Sequence, residues 1–303
     1  MRTDFVLGLS THGFHRMFYT DWGDPRSSRV VVCVHGLTRN CRDFDFLARA
    51  LATDFRVLCP DVAGRGRSDW LHGKDDYNYP QYLADMTAVL ARASAWPGRP
   101  GWLARLADFL TGRYGARSIY WVGTSMGGLL GMLLAARPSS PIRKLVINDV
   151  GPLIPRGALV RIGAYLGKDP RFDTFAEIEA YVRTVSAPFG ALTDAQWHHL
   201  TLHGAKQHAD GRWGLRYDPD IATPFLAGSL QDVDLWSHWD AITCPTLVLR
   251  GADSDLLDAD TGAQMQARGP RARLIEFPGI GHAPMLMARD QIDVVASFLK
   301  QPE

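Results

Sequence analysis

A serine with glycine two residues to either side, Gly123-Thr124-Ser125-Met126-Gly127, stands between an apolar run and a helical pattern. The arrangement suits a turn so sharp that neighbours bearing a Cβ would collide. The glycines relieve that crowding while the middle residue takes a strained backbone conformation. The Ser125 hydroxyl is thereby lifted clear as a nucleophile. The backbone N–H of Met126 points into the same space at a helix start, where negative charge is favoured. The preceding Ser118-Ile119-Tyr120-Trp121-Val122 reads as a buried strand, and Ser125 to Ala136 reads as a helix rich in small residues. That strand–turn–helix context separates the pentapeptide from a chance glycine–serine loop.

A nucleophilic serine needs a base, and the base needs an orienting acid. His282 lies in Pro278-Gly279-Ile280-Gly281-His282-Ala283-Pro284, directly after the final apolar run. A glycine-flanked loop there lets an imidazole reach Ser125. The other histidines (His12, His15, His72, His198, His199, His203, His208 and His238) lack such placement. For the acid, the run ending at Arg250-Gly251 leads into Ala252-Asp253-Ser254-Asp255-Leu256-Leu257. Asp255 is preferred because Leu256 and Leu257 would anchor the loop beneath the site, and Asp253 is the alternative. Asp149, at the end of an earlier strand, suits a different layout and is read instead as tying the start of an insertion to the core.

His35-Gly36-Leu37-Thr38 follows the first buried strand. Gly36 lets the chain turn over the sheet edge, so the Leu37 N–H becomes a second candidate donor beside Met126 for a tetrahedral oxyanion. His35 itself is read as structural, since it precedes Ser125 in the chain.

Positioning these groups requires a sheet. Near-continuous apolar runs at Arg29–Val34, Phe55–Cys59, Ser118–Val122, Lys144–Ile147, Thr246–Arg250 and Arg273–Phe277 alternate with helical patterns. They predict an α/β fold with a mainly parallel central sheet covered by helices on both faces. In such a sheet, sites lie beyond the carboxyl ends of the strands, where all the residues above fall. Helices are expected from Tyr79 to about Ala93 and at the C-terminus, where Ile292, Val295 and Leu299 share a face. Trp96-Pro97-Gly98-Arg99-Pro100-Gly101 breaks any helix and reads as a surface excursion.

The stretch from Asp149 to Pro245 is far longer than an ordinary connection between parallel strands. It contains two capping boxes, Thr174-Phe175-Ala176-Glu177 and Thr193-Asp194-Ala195-Gln196. Residues 152–236 are therefore expected to form a helical cap, leaving 1–151 and 237–303 as the core.

The chain order Ser125…Asp255…His282, the His35-Gly36 loop, the Gly-x-Ser-x-Gly-Gly sequence and the stretch Pro60-Asp61-Val62-Ala63-Gly64-Arg65-Gly66-Arg67-Ser68 together resemble the α/β-hydrolase superfamily. The similarity spans residue 29 to the C-terminus, with the cap loosely matched, and is greatest to capped bacterial esterases, lactonases and C–C bond hydrolases. It implies a serine hydrolase that cleaves a small-molecule ester or lactone through an acyl-enzyme on Ser125. Hydrolysis of a carbon–carbon bond, perhydrolysis on the same residues and a non-enzymatic ligand-binding protein are the alternatives. The resemblance also places an Asp three residues after the glycine of the acid loop. Ser254 stands at that position here.

The remaining signals bound the reading. With 33 Lys+Arg against 32 Asp+Glu and a net charge of +1, the chain has no basic excess for nucleic acid. Four cysteines without a C-x-x-C pair do not form a disulfide framework, and Cys33 and Cys59 read as buried hydrophobes. No signal peptide or membrane-spanning run is found, so a cytoplasmic, membrane-free location is expected. The chemistry calls for no cofactor. His199 and His203 have a spacing that can hold zinc, although no H-E-x-x-H motif completes it and a polar helix face is the default reading. Trp197, Trp213, Trp236, Trp239 and Phe225 either line an apolar pocket or pack the cap on the core. Arg65 and Arg67 make no phosphate loop, because no G-K-[ST] follows.

Overall fold

In the computed structural model the apolar runs become strands, largely buried on both faces except for the edge run Arg273–Phe277. The structure describes residues 1–95, 117–226 and 230–302; the helix-breaking stretch beginning at Trp96 lies outside them. Eight strands form one sheet: β1 (Arg2–Ser10), β2 (Gly13–Trp22), β3 (Arg29–Val34), β4 (Arg56–Pro60), β5 (Ser118–Thr124), β6 (Ile142–Asn148), β7 (Thr246–Gly251) and β8 (Arg273–Phe277). Their order is β1-β2-β4-β3-β5-β6-β7-β8. The last six pair in parallel, while β1 and β2 form an antiparallel hairpin against β4.

Alternate residues of one strand feed two separate cores. Val30, Val32 and Val34 of β3 join the cluster that contains Tyr82, Met86 and Val89 of α2 (Tyr79–Ser94) and Leu129 and Leu130 of α3 (Met126–Ala135). Val31 and Cys33 point the other way, to Leu47 and Leu51 of α1 (Asp45–Leu51) and to Val295 and Leu299 of the C-terminal helix Arg289–Lys300. A strand buried on both faces has no polar side to show, which is why these runs read as continuous. Asn78 starts α2 by accepting from the Gln81 N–H, satisfying one of the free donors of the first turn.

Between β6 and β7 the chain leaves the sheet. It forms α4 (Arg156–Tyr165), α5 (Phe175–Val185), α6 (Asp194–Gly204) and α7 (Trp236–Asp240). Both capping boxes are present, on Thr174/Glu177 and Thr193/Gln196. Ile178, Val182, Trp197 and Leu200 form a small core with Met285 and Met287, from the loop after β8. That contact lays α5 and α6 over the carboxyl edge of the sheet.

The N-terminal hairpin was not legible as a strand pair. Phe5, Leu7 and Leu9 alternate correctly but face outward and stay exposed, so they carry no signal of a buried face.

Candidate active site

The carboxyl ends of β3, β5, β6, β7 and β8 deliver His35, Ser125, Asp149, Ser254 and His282 to one edge. Order reverses at β3, which lies between β4 and β5, and ligands of open α/β sheets bind at such a switch point.

Ser125 has φ 52° and ψ −117°, outside the conformations a side-chain-bearing residue prefers. Its neighbours explain how it is held there. A Cβ on Gly123 would stand 2.1 Å from the Gly127 carbonyl oxygen, and one on Gly127 would stand 2.0 Å from that of Val34. Only glycine allows the two strand ends and the helix start to meet. The Ser125 N–H donates to Asn148 O at 2.9 Å, and its carbonyl accepts from Gly128 and Leu129. The strain is thus fixed by backbone bonds on both sides.

His282 Nε2 lies 2.9 Å from Ser125 Oγ, and His282 Nδ1 lies 2.7 Å from Asp149 Oδ2. A carboxylate only accepts, so Nδ1 carries the proton and Nε2 is left to accept from the serine hydroxyl. Asp149 is buried, and its oxygens also receive the Gly251 N–H at 2.9 Å and the Ser254 hydroxyl at 2.7 Å. Both carboxylate oxygens are thus satisfied by hydrogen-bond donors.

The expected acid is therefore corrected. Asp255 is exposed and ion-paired with Arg161 of α4 at 2.9 Å, and Asp253 is exposed too. The loop after β7 turns its serine, Ser254, inward to the carboxylate. The residue bonded to His282 comes from the neighbouring strand β6, which pairs with β7 through Asn148 and Leu249. The ends of two adjacent parallel strands thus meet at this carboxylate, β6 leading into Asp149 and β7 into Ser254.

The His35-Gly36-Leu37 loop lies beside Ser125. A Cβ on Gly36 would be 3.6 Å from Ser125 Cβ, so the loop runs alongside that serine. Leu37 and Met126 line the same cavity as Ser125 and His282. His35 Nδ1 donates to Gly36 O at 2.7 Å and its Nε2 accepts from the Val62 N–H at 3.0 Å. Burial pushes its pKa down to about 4, so it stays neutral as a loop tie.

Arg65 ties this loop in place, a role its sequence context did not reveal. Fully buried, it donates to Leu37 O at 2.9 Å, Ala63 O at 2.7 Å and Tyr82 Oη at 2.9 Å, and its guanidinium sits 4.9 Å from the Tyr82 ring centroid. It braces the loop beside Ser125 from behind. The Pro60–Ser68 stretch marked the region, but neither of its arginines gave a sign of which carbonyl it would meet. Ser254, too, was seen only as the wrong residue for an acid.

The cavity at this edge has a volume of about 540 Å³. Of the five aromatic residues weighed for its wall, Phe225 lines it. Trp197 and Trp239 are buried in packing clusters, Trp213 meets Phe175 edge-on, and Trp236 lies under Arg268. His199 and His203 do converge with Asp45, their ligand atoms lying within 4.8 Å of one another. The Arg42 guanidinium pairs with Asp45 and reaches His203 Nδ1 at 3.4 Å, so a side-chain cation already neutralises that acid. Burial and Arg42 push His203 down to about 3.

Comparison with known proteins agrees with this architecture. The sequence model of the alpha/beta hydrolase family matches residues 31–296. A 3-hydroxybutyrate-oligomer hydrolase of Cupriavidus necator is 46% identical, covering 98% of this chain and 97% of its own. A pimeloyl-[acyl-carrier protein] methyl ester esterase of Nitrosomonas europaea is 26% identical over 86% of this chain and 91% of its own. Among solved structures, an alpha/beta hydrolase from Novosphingobium aromaticivorans superposes with a TM-score of 0.80 at 36% identity, covering 98% of each chain.

Proposed function

Since the chain belongs to the alpha/beta hydrolase family and is a hydrolase, we propose that it cleaves carboxylic esters by a serine mechanism, with short oligoesters of a hydroxy acid as substrate. Ser125, His282 and Asp149 carry the reaction in this reading. The observation that supports it most is the continuous relay from Ser125 Oγ through both nitrogens of His282 to a buried carboxylate.

The steps follow from the proton positions. His282 Nε2 takes the Ser125 proton as the hydroxyl oxygen attacks the ester carbonyl. The new imidazolium is stabilised by Asp149, itself held by Gly251 and Ser254. The tetrahedral oxyanion falls to the Leu37 and Met126 N–H groups, each such donor being worth roughly 3–4 kcal/mol to the transition state. His282 then protonates the leaving alcohol, and water repeats the sequence on the acyl-enzyme. The insertion spanning residues 152–236 acts as a cap, contributing Leu159, Ile162 and Phe225 to an apolar cavity wall.

The oligoester substrate is favoured by the 46% identical relative, which covers nearly the whole chain. It ranks ester cleavage above the carbon–carbon and perhydrolysis readings. The test is turnover of 3-hydroxybutyrate dimer and trimer, together with p-nitrophenyl butyrate, by wild type and Ser125→Ala. Loss of all three activities in the variant, with fluorophosphonate labelling of wild type at Ser125, is expected. Undiminished turnover by Ser125→Ala would discard the mechanism.

A further inference from the structure

Resting on the oligoester reading, we propose that Arg161 anchors the free carboxylate at the end of the substrate, and that Asp255 is the counter-ion this carboxylate displaces. Both side chains line the cavity that holds Ser125 and His282. They come from different elements: Arg161 from α4 of the insertion, Asp255 from the loop after β7.

Among the described residues two arginines line this cavity, and their bonding separates them. Arg39 gives Nε and Nη2 to the two oxygens of Asp43, at 2.8 and 2.7 Å, with side chains 17% and 11% exposed. A two-pronged pair so shielded is committed, since opening it strands a charge. Arg161 touches Asp255 at 2.9 Å through Nη2, with side chains 48% and 57% exposed. A solvated ion pair of this kind holds weakly and exchanges readily for another carboxylate. Leu159, Ile162, Phe225 and Leu256 line the same cavity as apolar surface. A charged exchangeable group within an apolar wall suits a ligand that is an uncharged, methyl-bearing chain with one anionic end.

The chemistry then fixes the direction in which the substrate lies. In an oligoester of a hydroxy acid, the free carboxylate is always on the alcohol side of any ester bond. Arg161 therefore holds the leaving fragment. Ser125 Oγ bonds to the acyl carbon carrying the hydroxyl-terminal part, the acyl C–O bond breaks, and the leaving oxygen takes the proton from His282. The departing product is a hydroxy acid, or short oligomer, still paired with Arg161. The acyl-enzyme holds the rest until water removes it.

Asp255 has a defined part in this scheme as a competitor. It neutralises Arg161 in the absence of substrate and opposes an anionic ligand when substrate arrives. Its removal is expected to strengthen the preference for an acid rather than weaken it. A residue that merely braced α4 would have the opposite effect, or none.

The experiment compares hydroxybutyrate trimer as the free acid with the same trimer as its methyl ester. The readout is the ratio of kcat/KM for the two. Wild type is expected to favour the acid about tenfold, the effect of one charge-assisted contact. The ratio is expected to fall towards one in Arg161→Gln, to survive in part in Arg161→Lys, and to rise severalfold in Asp255→Asn. Raising the salt concentration should lower the wild-type ratio, because the guanidinium is solvated. A ratio of one in wild type, or an equal ratio in Arg161→Gln and wild type, overturns the anchor. Should Arg161→Gln fail to fold, an Asp255→Asn ratio no higher than wild type overturns it. Turnover of neither compound by wild type removes the oligoester reading, and the anchor with it.

Discussion

Ser254 Oγ donates at 2.7 Å to the same Asp149 oxygen that receives His282 Nδ1 at 2.7 Å. The hydroxyl is itself fixed, accepting from the Leu256 and Leu257 N–H groups at 3.3 and 3.2 Å. The end of β7 thus serves the carboxylate supplied by β6. The geometry of these donors keeps the Asp149 oxygen aimed at the imidazole.

Replacing the acid is the most direct check. Asp149→Asn presents an amide to His282 Nδ1, favouring the wrong tautomer and leaving the imidazolium uncompensated. Turnover of p-nitrophenyl butyrate is expected to fall by about 10³–10⁴. Asp253→Asn, on an exposed side chain, should stay within about twofold of wild type. Steady-state kinetics on both variants decide, and a larger loss at Asp253 would return the role to the β7 loop.

The hydroxyl that holds the acid should matter less than the acid, and in a recognisable way. Ser254→Ala is expected to lower kcat about tenfold, near the worth of one hydrogen bond to a charged group, with KM little changed because the hydroxyl meets Asp149 and not the nucleophilic oxygen. A relocated carboxylate gives a stricter test. Asp149→Asn combined with Ser254→Asp places a carboxylate one bond beyond the position now 2.7 Å from Asp149 Oδ2. The double variant should regain at least about tenfold over Asp149→Asn alone, a non-additivity expected of groups serving one function. No gain would show that the β7 loop cannot deliver an acid here.

What the sequence showed and concealed has the same physical root. Strands β3 to β7 were legible because most of their residues are buried and apolar, the edge strand β8 because Leu274, Ile275 and Phe277 outweigh its exposed Arg273 and Glu276, and Ser125 and His282 because each stands on a glycine-flanked turn at a strand end. Asp149 was legible as a candidate but not as the acid. Its neighbours in the chain say nothing of a partner 133 residues away. The sign was negative: a serine where the resemblance expects an aspartate. Arg65 was hidden for a related reason, since its value lies in the carbonyls it meets, and those belong to loops that converge only in three dimensions.

The turn at the nucleophile makes a stability prediction. A methyl on Gly127 would meet the Val34 backbone oxygen at 2.0 Å, with no flexible side chain to yield. Gly127→Ala is expected to cost at least about 3 kcal/mol, in the range reserved for severe steric conflict. Gly157, in the first turn of α4, has no neighbour within 4 Å of the added Cβ. Gly157→Ala should be neutral or stabilising by up to about 1 kcal/mol, by restricting the unfolded chain. Chemical denaturation of both variants measures the contrast. Similar stabilities would mean that the turn is less tightly closed than its backbone contacts imply.

His35 supplies the pH dependence. Its pKa is pushed down to about 4 by burial, against about 6.5 in an unfolded chain. A base whose folded pKa is depressed is favoured neutral in the fold. Its contribution is complete above pH 6.5 and is lost as the pH falls towards 4. Between pH 7.5 and pH 5 the loss is about 2 kcal/mol, since each unit of separation is worth about 1.4 kcal/mol. His35→Asn removes the titration along with the bonds to Gly36 O and from the Val62 N–H. The variant should be less stable than wild type by about 1–3 kcal/mol at pH 7.5, the range for losing buried hydrogen bonds. That deficit should then shrink by about 2 kcal/mol at pH 5, because only the wild type bears the titration. Other titrating groups cancel in the comparison. Urea unfolding of both proteins at the two pH values gives the difference directly, and a deficit that does not change with pH would mean that His35 is not the neutral, sealed tie its contacts describe.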